Sequence, residues 1–101
     1  MDTNQAQDEL NTKYGTAKKT DVEDEAILQR IMAKGPLENG EIEDGVLHAE
    51  LIDDLSALEV AAEIAAALGG KARSNIIDVG GRAFIVNLEG LIGVVVRRLR
   101  E

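Results

Sequence analysis

The chain has 101 residues, the length of one small domain, and 45% of them are hydrophobic. It contains no Cys, which excludes disulfides, thiolate metal ligands and thiol catalysis together. The net charge is −8 and only 2% of the residues are aromatic, so nucleic-acid binding is disfavoured because it relies on basic surfaces and on side chains that stack against bases.

The first segment is a polar arm. Residues 1–20 lack hydrophobic periodicity and predict a disordered arm, which leaves 21–101 as a single α+β domain. The N-terminus has no basic segment followed by an apolar run, so the sequence predicts no signal peptide. No run approaches the roughly 18 apolar residues of a membrane-spanning helix. We therefore expect a cytoplasmic protein that does not associate with membranes.

A first helix follows the arm. Thr20 and Glu23 form the T-x-x-E pattern of a capping box, which predicts that a helix begins here. Apolar side chains then recur at helical spacing from Ile27 to Met32 and predict one buried stripe. Gly35-Pro36 ends the helix, because proline cannot continue it.

The next segment is harder to assign. Residues 37–45 (LENGEIEDG) predict an acidic connection with a turn at Asn39-Gly40. In residues 46–52 (VLHAELI), apolar and polar side chains alternate around Ala49, which favours a strand. A helix with an apolar stripe through Val46 and Ala49 fits almost as well. We favour the strand.

A second helix has the clearest signals. Ser56 and Glu59 offer another capping box, and Gly69-Gly70 ends the helix. The face that includes Ala61 and Ala65 carries small side chains, which allow close approach of another element. This face predicts either packing against the protein's own sheet or a helix–helix contact in a dimer.

Three β-branched runs follow the second helix: SNIIDVG, RAFIVNL and LIGVVVRRL. Tight turns at Gly80-Gly81 and Glu89-Gly90 separate them and predict an antiparallel three-stranded meander. The run 91–96 is apolar on both faces, which predicts either a covered strand or an edge strand that pairs with a second chain. Arg97, Arg98 and Arg100 would then oppose uncontrolled pairing at that edge.

The sequence offers no catalytic, cofactor or metal site. His48 is the one histidine, and no G-x-S-x-G turn is present for a serine nucleophile. The acidic residues of 41–44 lack the spacing of a calcium loop. Gly69-Gly70-Lys71 follows a helix rather than a strand, so it predicts a helix end and not a phosphate loop. We therefore expect a protein that is not an enzyme.

The second half resembles the roadblock / dynein light chain family through LSALEVAAEIAAALGG and ARSNIIDVGGRAFIVNLEGLIGVVVRR. That family has a long Ala-rich helix ending in Leu-Gly, then strands with a glycine turn and a final apolar run. The resemblance implies a homodimer that acts as a scaffold or regulator beside small Ras-like GTPases or motor complexes. The family has a two-strand hairpin before the long helix, and this sequence offers only 46–52 for it, so a strand is missing or altered. The family's closing helix has no counterpart in this sequence.

The sequence thus predicts a non-enzymatic protein–protein interaction and dimerisation module, with a homodimer and a further protein as partners. An acidic antagonist that occupies a basic surface of its target is an alternative, because residues 1–70 hold 16 acids and 5 bases, a net charge of −11. A small winged-helix DNA-binding regulator is another, with Gly80-Gly81 and Arg82 as the wing. The predicted interface residues come from the second helix and the last strand: Leu58, Ala61, Ala65, Leu91, Val95 and Arg97.

Overall fold

A computed structural model describes residues 21–99, so the predicted arm and Thr20 lie outside the described residues. The elements in chain order are α1 (Val22–Lys34), β1 (Leu37–Glu43), β2 (Val46–Leu51), α2 (Ala57–Leu68), β3 (Lys71–Arg73), β4 (Ile76–Val79), β5 (Arg82–Glu89) and β6 (Gly93–Arg98). The strands form one six-stranded antiparallel sheet in the order β1-β2-β6-β5-β4-β3. The predicted α+β class is confirmed.

Both helices pack on the same face of the sheet. Helix α1 lies over β1, β2 and β6, and α2 lies over β3, β4 and β5. The core between helices and sheet is aliphatic except for Phe84, which is fully buried. Aliphatic side chains suit this position because β-branched residues fit a pleated surface and the helices supply apolar stripes.

The helix ends follow local sequence chemistry. The side chain of Asp21 caps α1, because its Oδ1 accepts a hydrogen bond of 2.8 Å from the Glu23 N–H. The capping box of α2 is confirmed: Ser56 Oγ accepts from the Glu59 N–H at 3.2 Å, and the Glu59 carboxylate accepts from the Ser56 N–H at 2.8 Å. Gly69 ends α2 with a φ of 75°, a left-handed conformation that glycine adopts without strain.

The prediction that 37–45 is a connection is wrong, because most of it forms β1. Its pattern is weak: Leu37 is buried and Ile42 packs against the core, whereas the polar side chains between them face solvent. Asn39-Gly40 lies at an irregularity within the strand and not in a turn. The turn is Asp44-Gly45, whose φ angles of 54° and 77° belong to the tight hairpins that Asp-Gly favours.

The assignment of 46–52 as a strand is confirmed by β2. Strands β1 and β2 pair with each other and form a hairpin between α1 and α2. The expectation that a strand of this hairpin is missing or altered is therefore wrong.

The three C-terminal strands are confirmed as β4, β5 and β6, but a three-stranded meander understates the sheet. The last strand begins at Gly93, so Leu91 and Ile92 lie in the turn before it and not in the strand as predicted. The short β3 pairs with β4, and β6 lies in the interior between β2 and β5. The last strand is therefore not an edge, and Arg97 and Arg98 do not guard one. The glycines of the β4–β5 turn have φ angles of 60° and 77°, as a tight hairpin requires.

Candidate protein-binding surfaces

The six residues predicted to form an interface lie in three different places, so the fold does not bring them together in one surface. Ala61 and Ala65 lie in the core, where 0% and 3% of their surfaces are exposed. Their small side chains allow α2 to pack closely against the protein's own sheet. The other four residues lie on two separate surfaces.

The first surface is an apolar patch at the end of the sheet where β2 and β5 finish and β6 begins. The Leu51 N–H donates a 2.8 Å hydrogen bond to the Ile92 carbonyl, which joins the end of β2 to the β5–β6 turn. Leu58 lies in the first turn of α2, which follows β2 after residues 52–56. We name five exposed side chains the apolar tip: Leu91 (98% exposed), Leu58 (57%), Ile52 (56%), Ile92 (51%) and Leu88 (40%).

The apolar tip has acidic surroundings. Asp53-Asp54 lie in the exposed loop beside Ile52, Glu59 lies in the first turn of α2, and Glu89 ends β5. Lys34 is also close to this end of the sheet, since it ends α1 just before β1 begins. The charge around the apolar tip is therefore negative on balance.

The second surface is the sheet face that points away from the helices, which we name the outer face. Its residues alternate with the buried core residues along each strand. Val95 lies on this face with only 8% exposure, although it is not part of the core between helices and sheet. One row of the outer face crosses all six strands in register: Glu43, Val46, Arg97, Ile85, Ile76 and Arg73.

Charge varies across the outer face from one edge of the sheet to the other. Glu41 and Glu43 project from β1 at one edge, and Lys71 and Arg73 project from β3 at the other. Arg73 Nε lies 3.0 Å from a carboxylate oxygen of Asp78, and the two side chains are 62% and 40% exposed. The outer face therefore has acids at the β1 edge and bases at the β3 edge. Between them it mixes apolar side chains (Val46, Val95, Ile85 and Ile76) with polar ones (His48, Glu50, Asn87, Arg97 and Asp78).

A buried ion-pair cluster joins the start of α1 to the sheet. Asp24 is only 2% exposed, and its carboxylate accepts hydrogen bonds from Arg98 at 2.8 and 3.1 Å and from Arg82 at 2.7 Å. Charge-assisted hydrogen bonds of this kind compensate the cost of burying the carboxylate. Sequence patterns could not reveal the cluster, because Asp24 lies 58 and 74 positions from its two partners.

Arg82 is held by two further acids. Its guanidinium lies 2.9 Å from Asp21 and also pairs with Glu23. The hydrogen bond from Arg82 lowers the pKa of Asp21, and the same bond raises the pKa of Arg82. An arginine paired with acids of its own chain is a poor donor for DNA phosphates, which weighs against the winged-helix alternative.

The residues considered for chemistry are separate from one another. His48 is exposed on β2, whereas Ser56 is used as a helix cap. Residues 21–99 contain no group of three or more His, Asp or Glu side chains placed to hold a metal ion. Neither α1 nor α2 is long and apolar enough to cross a membrane.

No protein-family model matches the chain, and neither a curated protein nor a solved structure shows significant similarity to it.

Proposed function

We propose that this domain is a non-enzymatic protein–protein interaction module that self-associates and binds a further protein through the apolar tip. The observation that carries the proposal is the exposure of five large aliphatic side chains at one end of the sheet. Exposed apolar side chains that cluster, rather than scatter, mark interaction surfaces because water contact with them is unfavourable.

The chemistry of the apolar tip describes its partner. Leu91 and Ile92 occupy a short turn that projects from the sheet, which suits insertion into an apolar pocket. The surrounding acids, Asp53-Asp54, Glu59 and Glu89, favour a partner with a basic rim around that pocket. The partner is therefore a protein with an apolar docking site bordered by Lys or Arg.

The test compares immobilised wild-type protein with the Leu91→Asp variant in affinity capture followed by quantitative mass spectrometry. Because Leu91 is 98% exposed, the substitution should not disturb folding. A charge at the centre of a docking site should lower retention of the specific partner by about 30-fold or more, the effect of losing a hot-spot residue.

Val22→Asp is the matched control, since Val22 is also an exposed aliphatic residue (82%) but lies at the start of α1. The control variant should retain the partner as the wild type does. The proposal is wrong if proteins retained by the wild type are retained equally by both variants.

The resemblance to the roadblock / dynein light chain family suggests which partners to seek first. The order of a helix, a hairpin, a second helix and further strands agrees with what the resemblance implies for the chain as far as β6. Within this proposal the domain is a roadblock-like scaffold or regulator in the cytoplasm, and small Ras-like GTPases are the first proteins to test for binding.

The acidic antagonist is the second candidate, and the acids around the apolar tip favour it. In that case the charges, and not the aliphatic side chains, supply most of the affinity. Retention of the partner should then fall steeply between low and high salt, while Leu91→Asp has little effect. The two candidates are separated by whether salt or the Leu91 substitution releases the partner.

A further inference from the structure

We propose that the outer face binds a second copy of this chain, sheet against sheet, about a two-fold axis that runs parallel to the strands. The inference deepens the proposed function and rests on it, because it names the self-association surface of the interaction module. It uses the outer face and not the apolar tip, so each surface can be tested without the other.

The register of the sheet defines which side chains would meet. A two-fold axis parallel to the strands reverses the order of the strands but keeps each side chain at the same height along them. The row across the sheet then faces the same row of the second copy in reverse. Val46 meets Ile76 of the other copy, Arg97 meets Ile85, and Glu43 meets Arg73.

Electrostatics selects this axis over the alternative. A two-fold axis that also lies between the two sheets but runs perpendicular to the strands would place β1 over β1 and β3 over β3. Glu41 and Glu43 would then face the acids of the other β1, as Lys71 and Arg73 would face the bases of the other β3, and like charges repel. With the parallel axis, each acidic edge lies over the edge that carries Lys71 and Arg73, and the two copies make the Glu43–Arg73 contact twice. Arg73 also pairs with Asp78 of its own chain at 3.0 Å, so Glu43 would share its guanidinium with that carboxylate.

Four apolar side chains between the two edges suit burial, although the polar His48, Glu50, Asn87 and Arg97 lie among them on the same face. Val46, Ile85 and Ile76 are half-buried already, and Val95 is covered by its neighbours on the strands. Residues 21–99 supply no layer over these side chains, since both helices lie on the opposite face. Packed sheets lie about 10 Å apart with their strands within about 30° of each other, which brings such side chains into contact.

The outer face is large enough for a stable dimer. Six strands spaced about 4.8 Å apart span about 24 Å. Strands β1, β2, β5 and β6 have six to eight residues and are about 20–26 Å long, whereas β4 and β3 have four and three residues and are about 13 and 10 Å long. The flat area is on the order of 500 Å², and the surface of the projecting side chains is larger. A standard interface buries about 800 Å² on each partner, so nearly the whole face would be used.

The test is a charge exchange measured by sedimentation equilibrium of the full chain. Glu43→Arg places a guanidinium over Arg73 of the other copy, and Arg73→Glu places a carboxylate over Glu43 of the other copy. Each variant alone should dimerise about tenfold more weakly than the wild type, because two attractive contacts become repulsive. An equimolar mixture of the two variants should recover dimers, since both contacts then join opposite charges.

The variant that carries both substitutions should also dimerise like the wild type, because the exchanged charges still face each other. Val46→Asp, which buries a carboxylate against Ile76 of the other copy, should be monomeric at protein concentrations on the order of 100 μM while its circular dichroism spectrum stays unchanged. Leu91→Asp should dimerise normally, which separates this interface from the apolar tip.

Several outcomes would overturn the inference. If the wild type is monomeric at protein concentrations on the order of 100 μM, the outer face stays open or is covered by residues 1–20. Assemblies larger than two copies would point to head-to-tail pairing of the β1 edge with the β3 edge. Failure of the variant mixture to recover dimers would exclude the axis parallel to the strands.

Discussion

Asp24→Asn should destabilise the domain more than any other removal of one charge from α1. The substitution keeps the size of the side chain but removes the negative charge that Arg82 and Arg98 share. It also turns an amide N–H₂ toward guanidinium donors, with which it cannot form a hydrogen bond. The start of α1 would then lose its strongest link to β5 and β6.

The magnitude follows from the burial of each partner. Removing one member of a buried ion pair costs about 3–5 kcal/mol, because the other member is left uncompensated. Here Arg82 and Arg98 have side chains that are 20% and 30% exposed, and Arg82 keeps Asp21 and Glu23 as partners. We therefore expect a loss of about 2–3 kcal/mol in the free energy of unfolding, or roughly 10–20 °C in the midpoint of thermal unfolding.

Urea unfolding followed by circular dichroism at 222 nm is the suitable assay, because the chain has no Trp and its one Tyr lies outside the described residues. Glu25→Gln is the matched control. It removes one charge from the same helix turn without breaking an ion pair seen among residues 21–99, so it should cost only about 0.3–1 kcal/mol.

Equal unfolding midpoints for Asp24→Asn and Glu25→Gln would refute the reasoning. A double-mutant cycle with Arg98→Met adds a second check, because the two substitutions remove the same contact. The combined effect should be smaller than the sum of the single effects by about 1 kcal/mol or more. Additive effects would mean that Asp24 and Arg98 do not interact in the folded state.

Three further predictions concern local structure and pH. Gly70→Ala should destabilise more than Gly69→Ala in urea unfolding, because a Cβ at Gly70 would collide with a β4 backbone carbonyl, whereas at Gly69 it meets only the strain of a positive φ, about 1 kcal/mol. Ser56→Ala should cost about 1 kcal/mol through loss of the α2 cap, measured as a lower urea midpoint. Arg82 lowers the pKa of Asp21 below its ordinary 3.8, so the ionised Asp21 stabilises the folded state fully above pH 3.8. This stabilisation is lost as the pH falls through the lower pKa of the folded state. Asp21→Asn, which keeps the cap, should flatten the pH dependence of the free energy of unfolding in that range.

Local chemistry made much of the fold predictable. The Ser56 capping box, the Gly69 helix end and the Gly80-Gly81 hairpin each depend on residues close together in the chain, and each is present in the structure. The strand at 46–52 was also identifiable, because its alternating side chains reflect one buried face and one exposed face.

The remaining features depend on contacts that local patterns do not encode. Strand β1 was not predicted, because only its Leu37 and Ile42 side chains face the core. Strand β3 was not predicted either, because all three of its residues are exposed at a sheet edge. The apolar run of the last strand was recognised, but its position between β2 and β5 is set by tertiary pairing. The apolar run predicted either a covered strand or a pairing edge, and the fold confirms the covered strand, since β6 lies between β2 and β5.

The predicted interface residues did not form one site, because tertiary contacts that local patterns do not encode place them on different surfaces. Leu58 and Leu91 belong to the apolar tip, Val95 and Arg97 to the outer face, and the alanines of α2 to the core. One apolar segment supplies both the turn and the strand, so hydrophobicity alone could not assign its residues to separate surfaces. Only the register of β6 with its two neighbours separates them.

The central position of β6 has a consequence for how the protein is made. On the ribosome, α1 with the β1–β2 hairpin emerges early, and β3, β4 and β5 emerge later, yet the two groups share no strand pairing until β6 enters between them. The nascent chain must therefore hold two incomplete half-sheets apart, each with an unpaired strand toward the gap. The sheet therefore closes only once β6 has emerged far enough from the ribosome to pair with both β2 and β5.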